Sequence, residues 1–239
     1  MIKKADKQSR NKQVFEKDEV IKPIVTECYW TKLKTWHKKN GRHSLPWRKN
    51  RTAWSILVAE VLLRRTRADT VSRVFPVIIS KFPDADTVLN NRDIFIELTS
   101  ELGFPSRFEQ FFETCSIIMQ EYSGSIPLEG KQLISLPGIG HYSSDAIRCF
   151  GFGQRRYLVD PNTLRISSRL TGAHIGQEQH RSLAARFLLN KAFGPEKKMT
   201  ANHNFALLDL AAVVCKPSNP NCGTCPLLDI CNYGMKGSR

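Results

Sequence analysis

The chain has 239 residues, enough for one large domain or two small ones with a substantial core. Apolar residues make up 41% of it, and no run approaches the roughly 18 apolar residues that a membrane helix needs. The formal net charge is +14, and residues 1–50 hold 14 Lys and Arg against 5 Asp and Glu. The lack of such a run predicts that the chain does not cross a membrane, and the charge balance favours a polyanionic partner, above all nucleic acid.

The N-terminal residues 1–22 are rich in lysine and lack the apolar stretch of a secretory signal. We expect them to form a flexible, basic tail that steers association with a polyanion. The absence of a signal also predicts a cytoplasmic, nucleoid-associated protein.

Apolar residues recur at three- and four-residue steps along most of the chain, whereas alternating runs typical of strands are missing. The clearest case is residues 108–122, where three phenylalanines, a cysteine, an isoleucine and a methionine share one face. The sequence therefore predicts an all-α protein. The remaining helices are predicted at 25–39, 53–65, 68–81, 142–150, 162–170, 178–192 and 203–214.

The stretch LISLPGIGHYSSDA predicts a hairpin between two helices. The first helix should end at Leu136, and Gly138 and Gly140 allow a tight turn with positive φ. The second helix should begin between His141 and Ser143, with free backbone N–H groups that suit a phosphate. In a basic chain this favours a nucleic-acid backbone, contacted without reading sequence.

Asp160 follows Gly140 by twenty residues and stands before Pro161 at the start of a new helix. A carboxylate in that position is more often an N-cap than a catalytic group. The residues alone leave both roles open.

Four of the seven cysteines lie within 17 residues, in the spacing C-x6-C-x2-C-x5-C. A set of four thiolates can bind zinc or an iron–sulfur cluster, and spacing alone favours the cluster because only one CxxC pair is present. Prolines and glycine in the segment predict a loop that folds around the bound group. The candidate ligands are Cys215, Cys222, Cys225 and Cys231.

Hairpin, aspartate and cysteine loop, in this order and spacing, resemble the helix-hairpin-helix DNA glycosylase superfamily, which includes endonuclease III and MutY. The resemblance runs from about Trp36 to Cys231 through the motifs LPWR, AEVLLRRT, LPGIGHYSSDAI and VDPNTLRI. It implies a 4Fe–4S cluster on the four cysteines, supporting a loop whose Lys216 contacts DNA. It also implies a monomer, double-stranded DNA with a damaged or mispaired base as partner, and a monovalent cation at the hairpin.

The fold implied by the resemblance has two helical domains with DNA in the cleft between them. A six-helix barrel with the helix-hairpin-helix motif would occupy residues 51–154. An iron–sulfur cluster domain would be assembled from residues 23–50 and 155–239.

The resemblance also assigns roles at the site of base removal, where the nucleotide leaves the stack. Asp160 would stabilise the oxocarbenium-like sugar. Tyr142 stands where strand-cutting relatives have a Schiff-base lysine, so base removal without strand cleavage is expected. Glu60 would hydrogen-bond or protonate the leaving base. Arg64 and Arg65 would fill the gap left by the flipped nucleotide or contact the opposing guanine.

Two substrate classes fit these residues. EVLLRRT resembles the Mig-type enzymes, which remove thymine or uracil opposite guanine, whereas MutY carries glutamines here. LGFPSRFEQ lacks the tyrosine-rich loop of MutY, and the chain stops eight residues after Cys231, without room for the extra MutY domain. We expect a mismatch glycosylase for thymine or uracil. An adenine glycosylase and a non-catalytic DNA-damage-binding module are the alternatives.

Overall fold

The computed structural model describes residues 26–103, 106–173 and 183–237; the side chains of 26–28, 106–107 and 237 are excepted. Throughout these ranges the regular structure is helical and no strand occurs, which confirms the predicted all-α class. The expected tail, residues 1–22, lies outside the described residues. None of the described helices is long and apolar enough to cross a membrane.

Twelve α-helices are found within the described ranges, and a π-helical segment, Ile147–Gly151, directly continues the eighth. Their bounds are α1 Thr26–Asn40, α2 Ala53–Leu62, α3 Ala68–Lys81, α4 Ala85–Asn90, α5 Arg92–Thr99, α6 Ser106–Tyr122, α7 Gly130–Ser135, α8 His141–Ala146, α9 Pro161–Thr171, α10 Leu183–Phe193, α11 Ala201–Val213 and α12 Asn232–Gly237.

Each predicted helix has a counterpart, although that for 178–192 is described only from Leu183. Helices α4 and α5 were not predicted, because each is too short to show a sustained apolar period. Helix α2 ends three residues before its predicted end. The backbone beyond it turns, and Arg65 adopts a left-handed φ of 58°. Arg64 and Arg65 therefore lie in a turn and not on a helix.

Four of the described helices begin with a capping box, in which the N-cap side chain accepts from the N3 backbone N–H and the N3 side chain accepts from the N-cap backbone N–H. The N-cap residues are Thr52, Asp84, Asp160 and Thr200. Each box satisfies backbone donors that the first helical turn leaves free, and so fixes where the helix starts.

The buried apolar residues form two clusters. The first is made mainly by α2 to α8 and includes Trp47 and Phe205; the second combines α1 with α9 to α11 and includes Leu227 of the cysteine loop. Phe205 of α11 packs into the first cluster through a stacked contact with Phe150, at 4.1 Å between ring centroids. The proposed domain boundaries remain a prediction, although the two clusters follow a similar division.

The hairpin joins α7 to α8 through residues 136–140. Gly138 has φ of 74°, as the sequence predicted. Gly140 does not have the predicted positive φ: at −92° it is extended, because it serves as the N-cap of α8. A Cβ at Gly140 would meet no atom within 4 Å, so this side of the turn is open. Helix α8 begins at His141, where the second helix was predicted.

Candidate functional site

A cavity of about 280 Å³ opens between α2, α8 and α11. This is near the lower end of the range of ligand pockets, about 300 Å³, and suits a group of the size of a nucleobase. Its apolar walls come from Trp47, Ile56 and Phe205, among others. The polar groups on the walls are Arg42, Arg48, Glu60, Tyr142 and Asn162. Two of the three predicted catalytic residues, Glu60 and Tyr142, thus face one cavity.

Glu60 is supplied by α2, whose preceding residues Ile56 to Ala59 are buried, so its carboxyl group is held at the edge of the core. Burial raises the pKa of Glu60 to about 8. The hydrogen bond from Ser143 lowers this pKa, whereas the negative charge of Asp160 raises it further. The Ser143 hydroxyl donates to Glu60 Oε2 at 3.4 Å. Since a carboxyl group with this pKa keeps its proton at neutral pH, Glu60 can donate a proton or hydrogen bond.

Tyr142 is the second residue of α8 and projects into the same cavity. Burial, together with the carboxyl groups of Glu60 and Asp160, raises the pKa of Tyr142 well above its ordinary value. The phenol therefore stays neutral and can offer a hydrogen bond. Among the described residues that line the cavity there is no lysine.

Asp160 is the N-cap of α9. Its Oδ1 accepts from Thr163 N at 2.8 Å, and its Oδ2 accepts from Asn162 Nδ2 at 2.7 Å. Asn162 lines the cavity and connects Asp160 to it, while Asp160 influences the pKa values of Glu60 and Tyr142. Both roles that the sequence left open are thus compatible, because one oxygen caps the helix and the other is oriented by a cavity residue.

Arg48 is a cavity residue that is fixed from two sides. Its Nη1 and Nη2 donate to the two oxygens of Asp209 at 2.7 and 2.8 Å, and its guanidinium lies over the Phe205 ring, 4.4 Å from the centroid. Asp209 is fully buried and also accepts from His37 and Arg42. The Nε of Arg48 is buried without a hydrogen-bond partner.

Sequence reasoning missed Arg42, Arg48, Asn162 and Asp209. A signal for Asp209 was present, since a carboxylate stands in the otherwise apolar stretch FALLDLAAVV, where an unpaired charge would be very costly. Which cations compensate it could not be read from the sequence, because they lie more than 160 positions away.

The residues predicted to contact DNA lie at two places. Arg64 donates to the carbonyl oxygen of Gly138 and, at 3.2 Å, to Gln110 Oε1, so α2 and the hairpin meet at this side chain. Arg65 and His141 are exposed next to these elements. Lys216 is also exposed but belongs to the cysteine loop. The backbone arrangement thus leaves all three on the surface.

The cysteine loop folds back on itself through two short 3₁₀ turns, Cys222–Thr224 and Leu228–Ile230. All four cysteines line one cavity. Nowhere in the described residues is a group of three His, Cys, Asp or Glu side chains arranged to hold a single metal ion. Four cysteine sulfurs around a shared cavity fit an iron–sulfur cluster.

Arg169 of α9 forms several contacts with this loop. Its guanidinium donates to the carbonyl oxygens of Lys216 and Pro217 at 2.7 and 2.8 Å and approaches Cys215 Sγ at 3.3 Å. It also lies 4.8 Å from the centroid of the Tyr233 ring. Helix α9, which Asp160 caps at its N-terminus, therefore contacts the cysteine loop through Arg169 near its C-terminus. Cys115 and Cys149, by contrast, are fully buried core residues.

Comparison with known proteins agrees with these features. Residues 215–231 match the iron–sulfur binding domain of endonuclease III. The thymine/uracil-DNA glycosylase of Methanothermobacter thermautotrophicus is 30% identical over 82% of this chain and 89% of its own length. The thymine-DNA glycosylase of Aeropyrum pernix is 31% identical over 87% of this chain and 94% of its own length. The adenine DNA glycosylase of Buchnera aphidicola subsp. Baizongia pistaciae is 29% identical, and the chain spans 59% of it.

Solved structures show the same relationship. A thermostable thymine-DNA glycosylase superposes with a TM-score of 0.78 at 26% identity, over 88% of this chain and 97% of its own. Endonuclease III in a non-covalent complex with DNA superposes with a TM-score of 0.73 over 89% of this chain and 96% of its own. At 20% identity, this similarity concerns the fold alone. The cysteine loop accordingly binds an iron–sulfur cluster, and the chain belongs to the helix-hairpin-helix family of DNA glycosylases.

Proposed function

We propose that the protein is a DNA glycosylase that removes thymine or uracil mispaired with guanine and leaves an abasic site. The observation that carries the proposal is the base-sized cavity in which Glu60, Tyr142 and Asn162 converge beside Asp160. The flipped nucleotide would place its base in this cavity. A panel of duplexes that differ only in one mispair tests the assignment.

Asp160 acts on the sugar in this proposal. Cleavage of the N-glycosidic bond passes through an oxocarbenium-like state, which a nearby carboxylate stabilises. The hydrogen bond from Asn162 orients Oδ2 before the reaction, so little reorganisation is needed when the charge develops. The N-glycosidic bond breaks with its electron pair on the base, which lies in the cavity. Water then adds to the sugar carbon, and the proton that it loses neutralises the departing base.

Arg48 favours a pyrimidine over adenine. Thymine and uracil each carry two carbonyl oxygens, whereas adenine carries none. Arg48 lines the cavity, and Asp209 accepts from only two of its guanidinium N–H groups, so a base carbonyl would provide an acceptor for another. The similarity to thymine-DNA glycosylases along nearly their whole length supports the same choice.

The absence of strand cleavage follows from Tyr142, since a phenol cannot form an imine with the sugar. We expect Tyr142→Lys to place an amine in the cavity and to create a borohydride-trappable covalent adduct with abasic DNA, which the wild-type protein does not form. Tyr142→Phe is the control and should form no adduct. Trapping of the wild-type protein at a comparable level would contradict the proposed monofunctional chemistry.

Adenine release is the second candidate function, because the raised pKa of Glu60 provides the acid that a purine leaving group requires. Glu60→Gln should weaken the release of uracil only mildly, since uracil can leave as a stabilised anion, but should abolish any release of adenine. A glutamate with a pKa of about 8 is protonated below that pH, so adenine release should be lost as the pH rises through 8. Equal and severe losses on both bases would overturn this distinction.

A further inference from the structure

In the proposed function, two parts of the chain act on opposite sides of the bond that breaks. Helix α8 contributes Tyr142 to the cavity, and its Ser143 donates to Glu60. Asp160, which acts on the sugar, stands at the end of residues 154–160, the segment that leads into α9. Both parts must face one nucleotide at the same time, so the spacing between α8 and this segment determines whether the reaction geometry is reached.

Arg186 of α10 contacts α8 on one side and the turn that follows α10 on the other. Its Nη2 donates to Asp145 Oδ2 and its Nη1 donates to Glu196 Oε1, each at 2.8 Å. Asp145 lies three residues after Tyr142 on α8 and is buried, with only 6% of its surface exposed. Burial raises the pKa of Asp145, and the Arg186 guanidinium opposes this rise, so Arg186 favours the ionised carboxylate.

Glu196 extends these contacts to the segment that ends at Asp160. The oxygen that accepts from Arg186, Oε1, also accepts from the backbone N–H of Tyr157 at 3.0 Å. The hydroxyl group of Tyr157 donates to the carbonyl oxygen of Gly194, so this residue is held through its backbone and through its side chain. Tyr157 is buried and stands three residues before Asp160. One carboxylate oxygen thus connects Arg186 to the backbone that leads to Asp160.

Asn204 of α11 provides a second connection between the same two parts. Its Nδ2 donates to the carbonyl oxygen of Arg156 at 2.9 Å and to Cys149 Sγ at 3.3 Å, in the π-helical continuation of α8. Asn204 is fully buried, whereas 40% of the Arg186 side chain is exposed. The segment therefore stays attached when Arg186 is changed, and we expect the loss of Arg186 to shift Asp160 without unfolding the protein.

We propose that Arg186 is a positioning residue for base release, and that it holds α8 and the segment before α9 at the spacing at which Tyr142 and Asp160 face one nucleotide. Arg186 does not line the cavity, so it acts through Asp145 and Glu196 and not on the substrate. The inference rests on the proposed function, in which Asp160 acts on the sugar, but it does not depend on which base leaves.

The test measures base release in a single turnover at saturating protein, together with the dissociation constant for a duplex that carries a non-cleavable analogue of the target nucleotide. Arg186→Gln should lower the rate by between about 10- and 100-fold, because a displacement of about 1 Å can cost about 10²-fold. The dissociation constant should stay at the wild-type value. A wild-type rate at saturation, or a loss confined to the dissociation constant, would overturn the proposal.

Arg73→Gln is the matched control, since Arg73 is an exposed arginine paired with Glu101. It should release the base at the wild-type rate. Arg186→Lys retains the charge but lacks the planar fork that reaches two carboxylates, so it should restore only part of the rate that Arg186→Gln loses.

Asp145→Asn breaks the same connection at α8, and with Arg186→Lys it keeps the proposal testable if Arg186→Gln does not fold. Combined with Arg186→Gln, it should lower the rate little further than either change alone, because both remove one connection. The rate loss should persist when each variant is assayed equally far below its own unfolding temperature. Additive losses, or a loss that disappears under those conditions, would contradict a positioning role.

A failure of the proposed function is recognised separately from a failure of this inference. The wild-type protein is first assayed on duplexes with thymine, uracil and adenine mispairs, and the variants are then compared on whichever base it releases. Release of adenine alone would overturn the pyrimidine assignment, whereas the ratio of variant to wild-type rates would still support or overturn the role of Arg186.

Discussion

Asp160→Asn is expected to reduce base release by about 10³-fold or more, without unfolding the protein or preventing it from binding a mispaired duplex. Asparagine caps a helix about as well as aspartate, so the contact with Thr163 N is retained. Asparagine is neutral, however, and cannot stabilise the positive charge on the sugar. Base release at saturating enzyme, binding to the mispaired duplex and thermal unfolding are the three measurements.

Asp84→Asn is the matched control, because Asp84 is the N-cap of α4 with the same capping-box geometry. It should change neither activity nor stability appreciably. If Asp160→Asn and Asp84→Asn both retained full activity, Asp160 would be only a cap. A damage-binding module without catalysis would likewise be indifferent to the change at Asp160, or would bind more tightly.

Asp209→Asn is expected to destabilise the protein by about 3–5 kcal/mol and to lower activity as well. The substitution leaves the buried guanidinium of Arg48 without its counter-ion, and the exposed fraction of that side chain is only 7%. Since Arg48 forms part of the cavity wall, loss of its orientation disturbs the base pocket. Denaturant unfolding and base release measure the two effects.

The pH dependence of stability provides a second test of Asp209. Burial alone would raise its pKa, but the hydrogen bonds from His37 and Arg48 outweigh burial and hold the pKa far below the usual range. Because its pKa is depressed, ionised Asp209 makes its full contribution to the free energy of unfolding above about pH 4. This contribution declines as the pH falls further. Asp209→Asn should abolish this part of the acid dependence.

Asp229→Asn is the control for Asp209. Asp229 pairs with Lys32 on the surface, where the exposed fraction of its side chain is 59%. Exposed pairs contribute little to stability because water screens them. A loss of stability at Asp229 as large as that at Asp209 would show that charge removal in general, and not the buried cluster, is responsible.

Local patterns in the sequence were sufficient to predict several features. The 3.6-residue apolar period places α6, and the positive φ of Gly138 follows from PGIG. Glu60 follows the apolar residues Ile56, Leu57 and Ala59 in the sequence, and it lines the cavity. The cysteine spacing favoured an iron–sulfur cluster before any comparison. Each of these properties depends on residues close together in the chain.

Features that depend on distant contacts were not predicted. The pairing of Arg48 with Asp209 joins positions 161 apart, and no local pattern encodes it. The turn at Arg64 and Arg65 was missed because helix propensity alone would continue α2. Its actual end is accompanied by the contact of Arg64 with Gly138 of the hairpin. The extended φ of Gly140 likewise follows from its use as an N-cap, whereas the sequence had predicted a positive φ there.

The most direct test of the proposed function is a base-release assay on the purified wild-type protein with its cluster. Labelled duplexes carrying T:G, U:G, A:G or adenine opposite 8-oxoguanine are incubated with the protein, and each sample is divided and treated with or without hot alkali. We predict strand cutting of the T:G and U:G duplexes only, and only after alkali. Cutting of the adenine strand alone, or cutting of T:G without alkali, would contradict the account.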